Sequence, residues 1–331
     1  MKFEERKYQQ DLIKELVTSN TNDLLQASTG SGKSYIFSEV VKQTKGNTLI
    51  LVHRDELMIQ TCETLSALNV EFQPINAKIK KINLNKSVFV AMVGTLASRK
   101  KKEPNYLNEI DTIVIDECHR GEFDKVLDLY PNIRRIGFTA SPVRMKKTEC
   151  LNDKYERIVK APPIQELIND GYLVKDVNYA LKLDPKEFAK LETSQSLNSG
   201  GYTTASLNKV FNNGQFITKA YDVPASKCEG KKTIIFCCSI EHAEQTHQYF
   251  QLRGVNSACY SSKSGTNRKE LMEWYKKTDD AVLVNVDVFT TGLDVTDIMN
   301  VILFRSTRSL ALFIQMVGRG GRITKNTYKD H

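Results

Sequence analysis

Two stretches of the 331-residue chain carry residue types that together can hold and cleave a phosphoanhydride: Ala27-Ser28-Thr29-Gly30-Ser31-Gly32-Lys33-Ser34, and Asp116-Glu117-Cys118-His119 at the end of an apolar run. A Gly-rich turn that opens a helix aims backbone N–H groups at one point, where the positive end of the helix dipole favours phosphate. Thr29, Gly30, Ser31 and Gly32 supply that cradle, Lys33 neutralises the β and γ oxygens, and Ser34 offers its hydroxyl to Mg2+. Asp116 holds the same ion through water, while Glu117 orients and deprotonates the attacking water. Ala27 departs from the general pattern G-x-x-x-x-G-K-[ST], which has glycine first.

These residues need particular elements behind them. Asp23 to Ala27 reads as a short apolar strand, and Lys33 to Thr44 as a helix with Ile36, Phe37, Val40 and Val41 on one face. The loop therefore lies between strand and helix, as the chemistry requires. Thr112 to Ile115 is a β-branched run that delivers Asp116 and Glu117 to a strand's C-terminal end, where ligands of parallel α/β sheets bind. A second α/β half follows, with strands at 233–238, 281–286 and 301–304 and a helix from Glu241 to Leu252. Its last helix carries Gln315-Met316-Val317-Gly318-Arg319-Gly320-Gly321-Arg322, in which two arginines spaced by three, on the helix or at its end, project to one side and the glycines let a backbone approach. Planar, permanently charged guanidinium groups suit a phosphate in transition. This half has no phosphate loop, so its arginines are expected to reach the nucleotide held by the first half.

Composition bounds the rest. A chain 40% hydrophobic with alternating β-branched and helical runs predicts α/β architecture in two domains. The expected division is a first domain at 1–149, a partly helical connecting region at 150–230, and a second domain at 231–331. No run reaches the apolar length of a membrane span and Met1 to Arg6 lacks a signal-peptide core, so a soluble, cytoplasmic protein is expected. Seven cysteines without a C-x-x-C pair fit neither a disulfide framework nor a zinc module. The net charge of +8, and basic clusters at 78–81, 99–102 and 144–147 read as polar connections, lean toward a polyanionic partner.

With these motifs in order from Arg6 to Arg322, the chain resembles a superfamily 2 helicase. Arg6-Lys7-Tyr8-Gln9 looks like the adenine-reading element, Ala27 to Ser34 matches motif I, and Leu51-Val52-His53-Arg54 with Gln60 resembles motif Ia. Val93 to Leu96 resembles motif Ib, Asp116 to His119 is a DExH form of motif II, and Phe138-Thr139-Ala140-Ser141-Pro142 matches motif III. Phe236 to Ser239 looks like motif IV, Thr290-Thr291-Gly292-Leu293-Asp294 like motif V, and Gln315 to Arg322 like motif VI. The resemblance implies two tandem RecA-like lobes with parallel sheets and an ATP–Mg2+ cleft between them.

It also implies roles one residue at a time. Arg6 and Tyr8 would flank the adenine and Gln9 would read its edge; Gly292 and Asp294 would meet the ribose side of the nucleotide. Arg319 and Arg322 would be arginine fingers, and Gln315 would sense the γ-phosphate. His119 would couple to Gln315 or Thr139. Arg54, Thr95, Ser239 and Thr290 would contact the phosphodiester backbone, with a loop or capping role as the alternative for each. Finer matches at 95–99, 137–144, 166–174 and 315–320 look like bacterial RadD-type and phage-encoded DNA helicases, implying DNA, often branched or forked, in repair, recombination or replication. An RNA helicase with the same engine, or a nucleotide-gated DNA-remodelling or annealing factor without strand separation, are the rival readings. Leu207 to Phe216 reads either as a helical element reaching over DNA or as a packed extension of one half. Only Ile323 to His331 follow Arg322. The resemblance therefore leads us to expect a truncated end.

Overall fold

The computed structural model describes residues 5–144, 150–180, 186, 189–192, 202–227, 230–261, 267–286, 295 and 297–322. The chain forms two compact units, Met1–Leu167 and Ile168–His331.

The first unit opens with α1 (Lys7–Thr18), β1 (Asp23–Gln26), α2 (Lys33–Gln43), β2 (Thr48–Val52) and α3 (Asp55–Ala67). It continues through β3 (Gln73–Ile75), β4 (Val88–Met92), α4 (Val93–Lys102), β5 (Thr112–Asp116), α5 (Asp124–Leu127), β6 (Arg134–Thr139) and β7 (Arg157–Lys160). Its strands make one sheet in the order β3-β4-β2-β5-β6-β1-β7 with every pairing parallel. Successive strand residues face opposite sides, so each side of this sheet acquires its own core. Leu25, Ile50 and Val52 pack with Leu12, Ile36, Val40 and Leu65 of α1, α2 and α3. Leu24, Leu49 and Leu51 pack with Leu96 and Val126 of α4 and α5. All four residues expected on the buried face of α2 are buried.

This order has a direct consequence for chemistry. Strand β6 lies between β1 and β5, with Gln26 in register with Thr139 and Asp116 with Phe138. The loop after β1 and the acids after β5 therefore flank the end of β6.

The second unit places α7 (Thr204–Phe211) and α8 (Gly214–Lys227) ahead of β8 (Thr233–Cys237), α9 (Ile240–Gln251) and β9 (Ser257–Tyr260). Then come α10 (Arg268–Lys277), β10 (Val282–Asn285), β11 (Asn300–Phe304) and α11 (Leu310–Val317). The sheet is parallel, ordered β11-β8-β10-β9, with Ile234 and Phe236 in one core and Ile235 and Cys237 in the other.

The segment 150–230 is shared between the two units. Strand β7 pairs with β1, whereas the division between units falls within α6 (Ile164–Asn169). After it, Val174 donates to the Gly321 carbonyl at 3.3 Å and Leu173 bridges Arg322. Leu207, Val210, Phe211 and Phe216 are buried in one cluster with Cys238, so α7 and the start of α8 are a packed extension of the second unit. No helix among the described residues is long and apolar enough to cross a membrane.

Candidate nucleotide and nucleic-acid site

Motif I folds as expected: β1 ends, the chain turns, and α2 begins at Lys33 with Gly32 as its N-cap at φ 81°. That left-handed conformation is cheap only for glycine. A Cβ at Gly32 would also fall 2.2 Å from the Gln9 amide nitrogen. Gln9 is fully buried. Its Oε1 accepts from the Arg6 N–H at 3.1 Å and its Nε2 donates to the Ser31 carbonyl at 3.2 Å. Tyr8 donates to the same carbonyl at 2.5 Å and receives the Arg6 guanidinium at 3.1 Å. The Arg6-Lys7-Tyr8-Gln9 element is thereby tied to the phosphate loop, a link that spacing alone does not reveal. Ser31 also donates its hydroxyl to the Ser28 carbonyl at 2.7 Å, closing the turn. Gly32→Ala is expected to lower stability by more than the roughly 1–2 kcal/mol that a left-handed alanine alone costs, because its Cβ must also displace the buried Gln9 amide. Chemical denaturation checks it, and an unchanged midpoint would contradict a strained turn.

Lys33 lies 3.1 Å from Asp116 Oδ1 and 2.6 Å from Glu117 Oε1. Burial disfavours the Lys33 ammonium, but the two carboxylates more than offset this and its pKa rises. Burial pushes the Asp116 carboxyl up, against the opposing pull of Lys33. Glu117 has φ 52°, a left-handed conformation that a non-glycine residue adopts at a cost of roughly 1–3 kcal/mol. The turn swings its carboxylate toward Lys33 while Cys118 stays on the ladder, donating its N–H to the Phe138 carbonyl at 3.0 Å. Cys118 is buried against β6 where a side chain would not fit: a Cβ on Gly137 would lie 2.7 Å from the Cys118 sulfur and 2.6 Å from the Tyr155 phenol oxygen. Ser34 and Asp116 line one small pocket with Gln60 and Thr64 of α3.

Motif II runs directly into motif III. His119 Nδ1 is 2.9 Å from the Thr139 hydroxyl and 3.4 Å from Glu117 Oε2. Burial lowers the His119 pKa, so the imidazole is neutral near pH 7. Thr139 in turn donates to the Ser141 carbonyl at 3.0 Å, and the Ala27 N–H reaches the Thr139 carbonyl at 2.9 Å. Two bonded pairs, Lys33–Glu117 and His119–Thr139, are thus brought side by side, with the Glu117 carboxylate 3.4 Å from the His119 ring nitrogen.

Beyond it, Arg144 pairs with both oxygens of Asp124 at 2.5 and 2.7 Å, and His53 meets Phe123 edge to face at 5.8 Å. The turn after motif II therefore holds motifs Ia and III together. Sequence reading missed Asp124, because an ion pair across 20 residues leaves no local spacing.

The second unit brings Gln315 onto α11, half-buried, with Arg319 and Arg322 following it. The last helix does not carry the whole motif: α11 ends at Val317, so of the two placements expected for the arginines both take the one past the helix end, where Gly318, Gly320 and Gly321 stop it. Arg319 is buried and Arg322 is drawn into the bridge with Leu173. Of the glycines, Gly320 is close-packed, with a Cβ position 3.0 Å from Val301, whereas Gly321 has open space around it. Thr290, Gly292 and Asp294 lie outside the described residues.

The candidate backbone contacts are placed as follows. Arg54 is the N-cap residue of α3 and half-buried; Thr95 sits in the first turn of α4, also half-buried. Ser239 caps α9, accepting from the His242 N–H at 3.1 Å. The basic run 99–102 is not a polar connection: it is the last turn of α4, complementing the helix dipole. Arg99 donates to Tyr106 at 2.6 Å, and the buried Lys100 bonds Asn108 at 2.5 Å over the Tyr130 ring. Lys78, Lys80 and Lys81 do lie in a connection, between β3 and β4.

The family described as type III restriction enzyme, res subunit, matches residues 2–144, and that described as helicase conserved C-terminal domain matches 215–324. The chain is 30% identical to a Saccharomyces cerevisiae protein named putative ATP-dependent helicase IRC3, over 98% of this chain and 50% of that protein. It is 29% identical to a 51.5 kDa Lactococcus phage protein, over 90% of this chain and 62% of that one. The chain thus spans about half to three-fifths of the length of these relatives. Among solved structures, a fragment of a putative HsdR subunit of a type I restriction enzyme from Vibrio vulnificus superposes with TM-score 0.71 at 20% identity, covering 98% of this chain and 62% of that one. The type ISP restriction enzyme LlaBIII bound to DNA gives 0.66 at 16% identity, over 98% and 27% of the two chains. The DEAD-box helicase Mss116 bound to single-stranded RNA gives 0.64 at 16%, over 96% and 67%. These likenesses give the fold as two RecA-like lobes. With both domain families in order and the motif II and III residues joined as described, the chain belongs to the superfamily 2 helicases.

Proposed function

We propose that the chain is an ATP-driven motor on DNA. The observation that carries this reading is the buried Lys33–Glu117 pair set beside the His119–Thr139 bond, which places the phosphate loop, motif II and motif III at one point. The phosphates of ATP compete with both carboxylates for Lys33, so nucleotide binding frees Glu117 to take a proton from the attacking water. Arg6 and Tyr8 flank the adenine, and Gln9 reads its edge while holding the loop. Ser34 and Asp116, which share one pocket, suit Mg2+; an octahedral ion held by few protein oxygens, the nucleotide and water fits this donor set. Held by Ser34 and Asp116, such an ion would neutralise charge on the leaving phosphates. Arg319 and Arg322 stabilise charge on the transferred phosphoryl group, Gln315 senses the γ-phosphate, and Gly292 and Asp294 meet the ribose side. Nucleotide-driven change in which unit holds the strand, through Arg54, Thr95, Ser239 and Thr290, moves the protein along it.

DNA is favoured over RNA by the DExH form of motif II, by motif III as Thr139-Ala140-Ser141 and by the restriction-enzyme family match at 2–144. Comparing ATP turnover on single-stranded DNA, forked DNA and RNA of matched length tests it. Forked DNA is expected to stimulate most, and binding to single strands should weaken with salt at a log–log slope of roughly 0.7 per neutralised phosphate. Arg54→Ala should flatten that slope. Equal or greater stimulation by RNA would overturn the DNA assignment in favour of an RNA helicase.

A further inference from the structure

The segment between the two family matches contributes a contact that the motifs do not record. Asn208 lies on α7, and its Oδ1 accepts two hydrogen bonds from motif IV: one from the Ser239 hydroxyl at 2.6 Å, one from the Cys238 thiol at 3.3 Å. Ser239 meanwhile caps α9 through the His242 N–H. His242 is fully buried, stacked on Phe304 at 5.5 Å, with Nδ1 3.1 Å from the Cys238 sulfur. The hydroxyl has one proton, and Asn208 takes it. The rotamer of Ser239, the start of α9 and the position of Cys238 are therefore fixed by a residue outside motif IV. Leu207, Val210 and Phe211 anchor α7 beneath this contact, so the acceptor oxygen is presented by a packed helix.

We propose that Asn208 is a positioning residue for nucleic-acid grip: by holding the Ser239 hydroxyl proton, its side-chain oxygen orients the motif IV turn so that the main-chain N–H groups of the turn, and not the hydroxyl, meet the phosphodiester backbone, making α7 part of the strand-holding face. The proposal rests on the DNA-motor reading above. Because both bonds use the oxygen as acceptor, aspartate can replace asparagine and leucine cannot.

The test measures, in the full chain, the concentration of single-stranded DNA giving half-maximal ATPase and the plateau turnover. Asn208→Leu is expected to raise the half-maximal concentration about fivefold, the worth of roughly one net hydrogen bond, with most of the plateau turnover kept. Asn208→Asp should restore the wild-type value within about twofold, and the Asn208→Leu/Ser239→Ala double variant should fall short of the product of the two single effects, since the two residues share one bond. An unchanged half-maximal concentration in Asn208→Leu overturns the role. A lowered one also overturns it, since Asn208 would then compete with the strand for Ser239. Asn208→Asp as impaired as Asn208→Leu shows packing, and not the acceptor, to be what matters, and overturns it too. A wild-type chain whose ATPase no nucleic acid stimulates overturns the motor reading itself, a result distinct from any of these variant effects.

Discussion

Glu117→Gln is expected to cut ATP turnover by on the order of 100-fold or more while leaving nucleotide affinity near wild type. The amide keeps the size of the side chain and can still face Lys33, but it cannot accept a proton from water. Relief of the carboxylate's competition for Lys33, which lies 2.6 Å away, should if anything tighten binding. Lys33→Ala should weaken both binding and turnover. A fluorescent nucleotide titration beside a phosphate-release assay separates the two effects. Turnover near wild type in a folded Glu117→Gln protein would remove Glu117 from the role of base.

The second large effect is at Arg319. Replacing an arginine that stabilises the transferred phosphoryl group is expected to cost about 1,000-fold in turnover, at the low end for such fingers. Arg319 is buried, so truncation to alanine also removes packing and risks the fold of its unit. Arg319→Lys guards against that confusion, since it keeps the charge and most of the stem but loses the planar fork. Both variants should fall together in turnover while circular dichroism and the melting curve of Arg319→Lys stay close to wild type. Arg322→Ala should fall comparably. Near-wild-type turnover in Arg319→Lys and Arg322→Ala would refute their place in catalysis.

The phosphate loop was legible because its information is local: eight adjacent residues between a strand and a helix leave few conformations, and Gly30 and Gly32 adopt the positive φ the turn demands. The DExH acids were legible for the same reason, being the terminus of an apolar run that became β5. The contact of His119 with Thr139 was anticipated only through the family resemblance, which left Gln315 as the other partner. The Asp124–Arg144 pair and the Asn208–Ser239 bond were not, because each is made by the fold bringing together ordinary surface-type residues. At Arg319 and Arg322 the sequence left open whether the pair lay on the helix or at its end, and the glycines decide it by ending α11 at Val317. The run 99–102 misled in the other direction, since lysines read as a loop proved to be a helix terminus with one of them buried. Residues 150–230 resisted reading because short elements there follow neither period for long, and their assignment to one unit or the other depends on pairing with β1 or packing on Cys238.

The central claim, that this chain is a motor whose ATP site answers to DNA, is tested most directly by the steady-state ATPase rate of the full chain with and without saturating single-stranded DNA, with Glu117→Gln as the background. The account predicts a low rate without DNA, a several-fold or greater rise with it, and no rise in the variant. A rate indistinguishable from Glu117→Gln in both conditions, or a rate that DNA leaves unmoved, would contradict it.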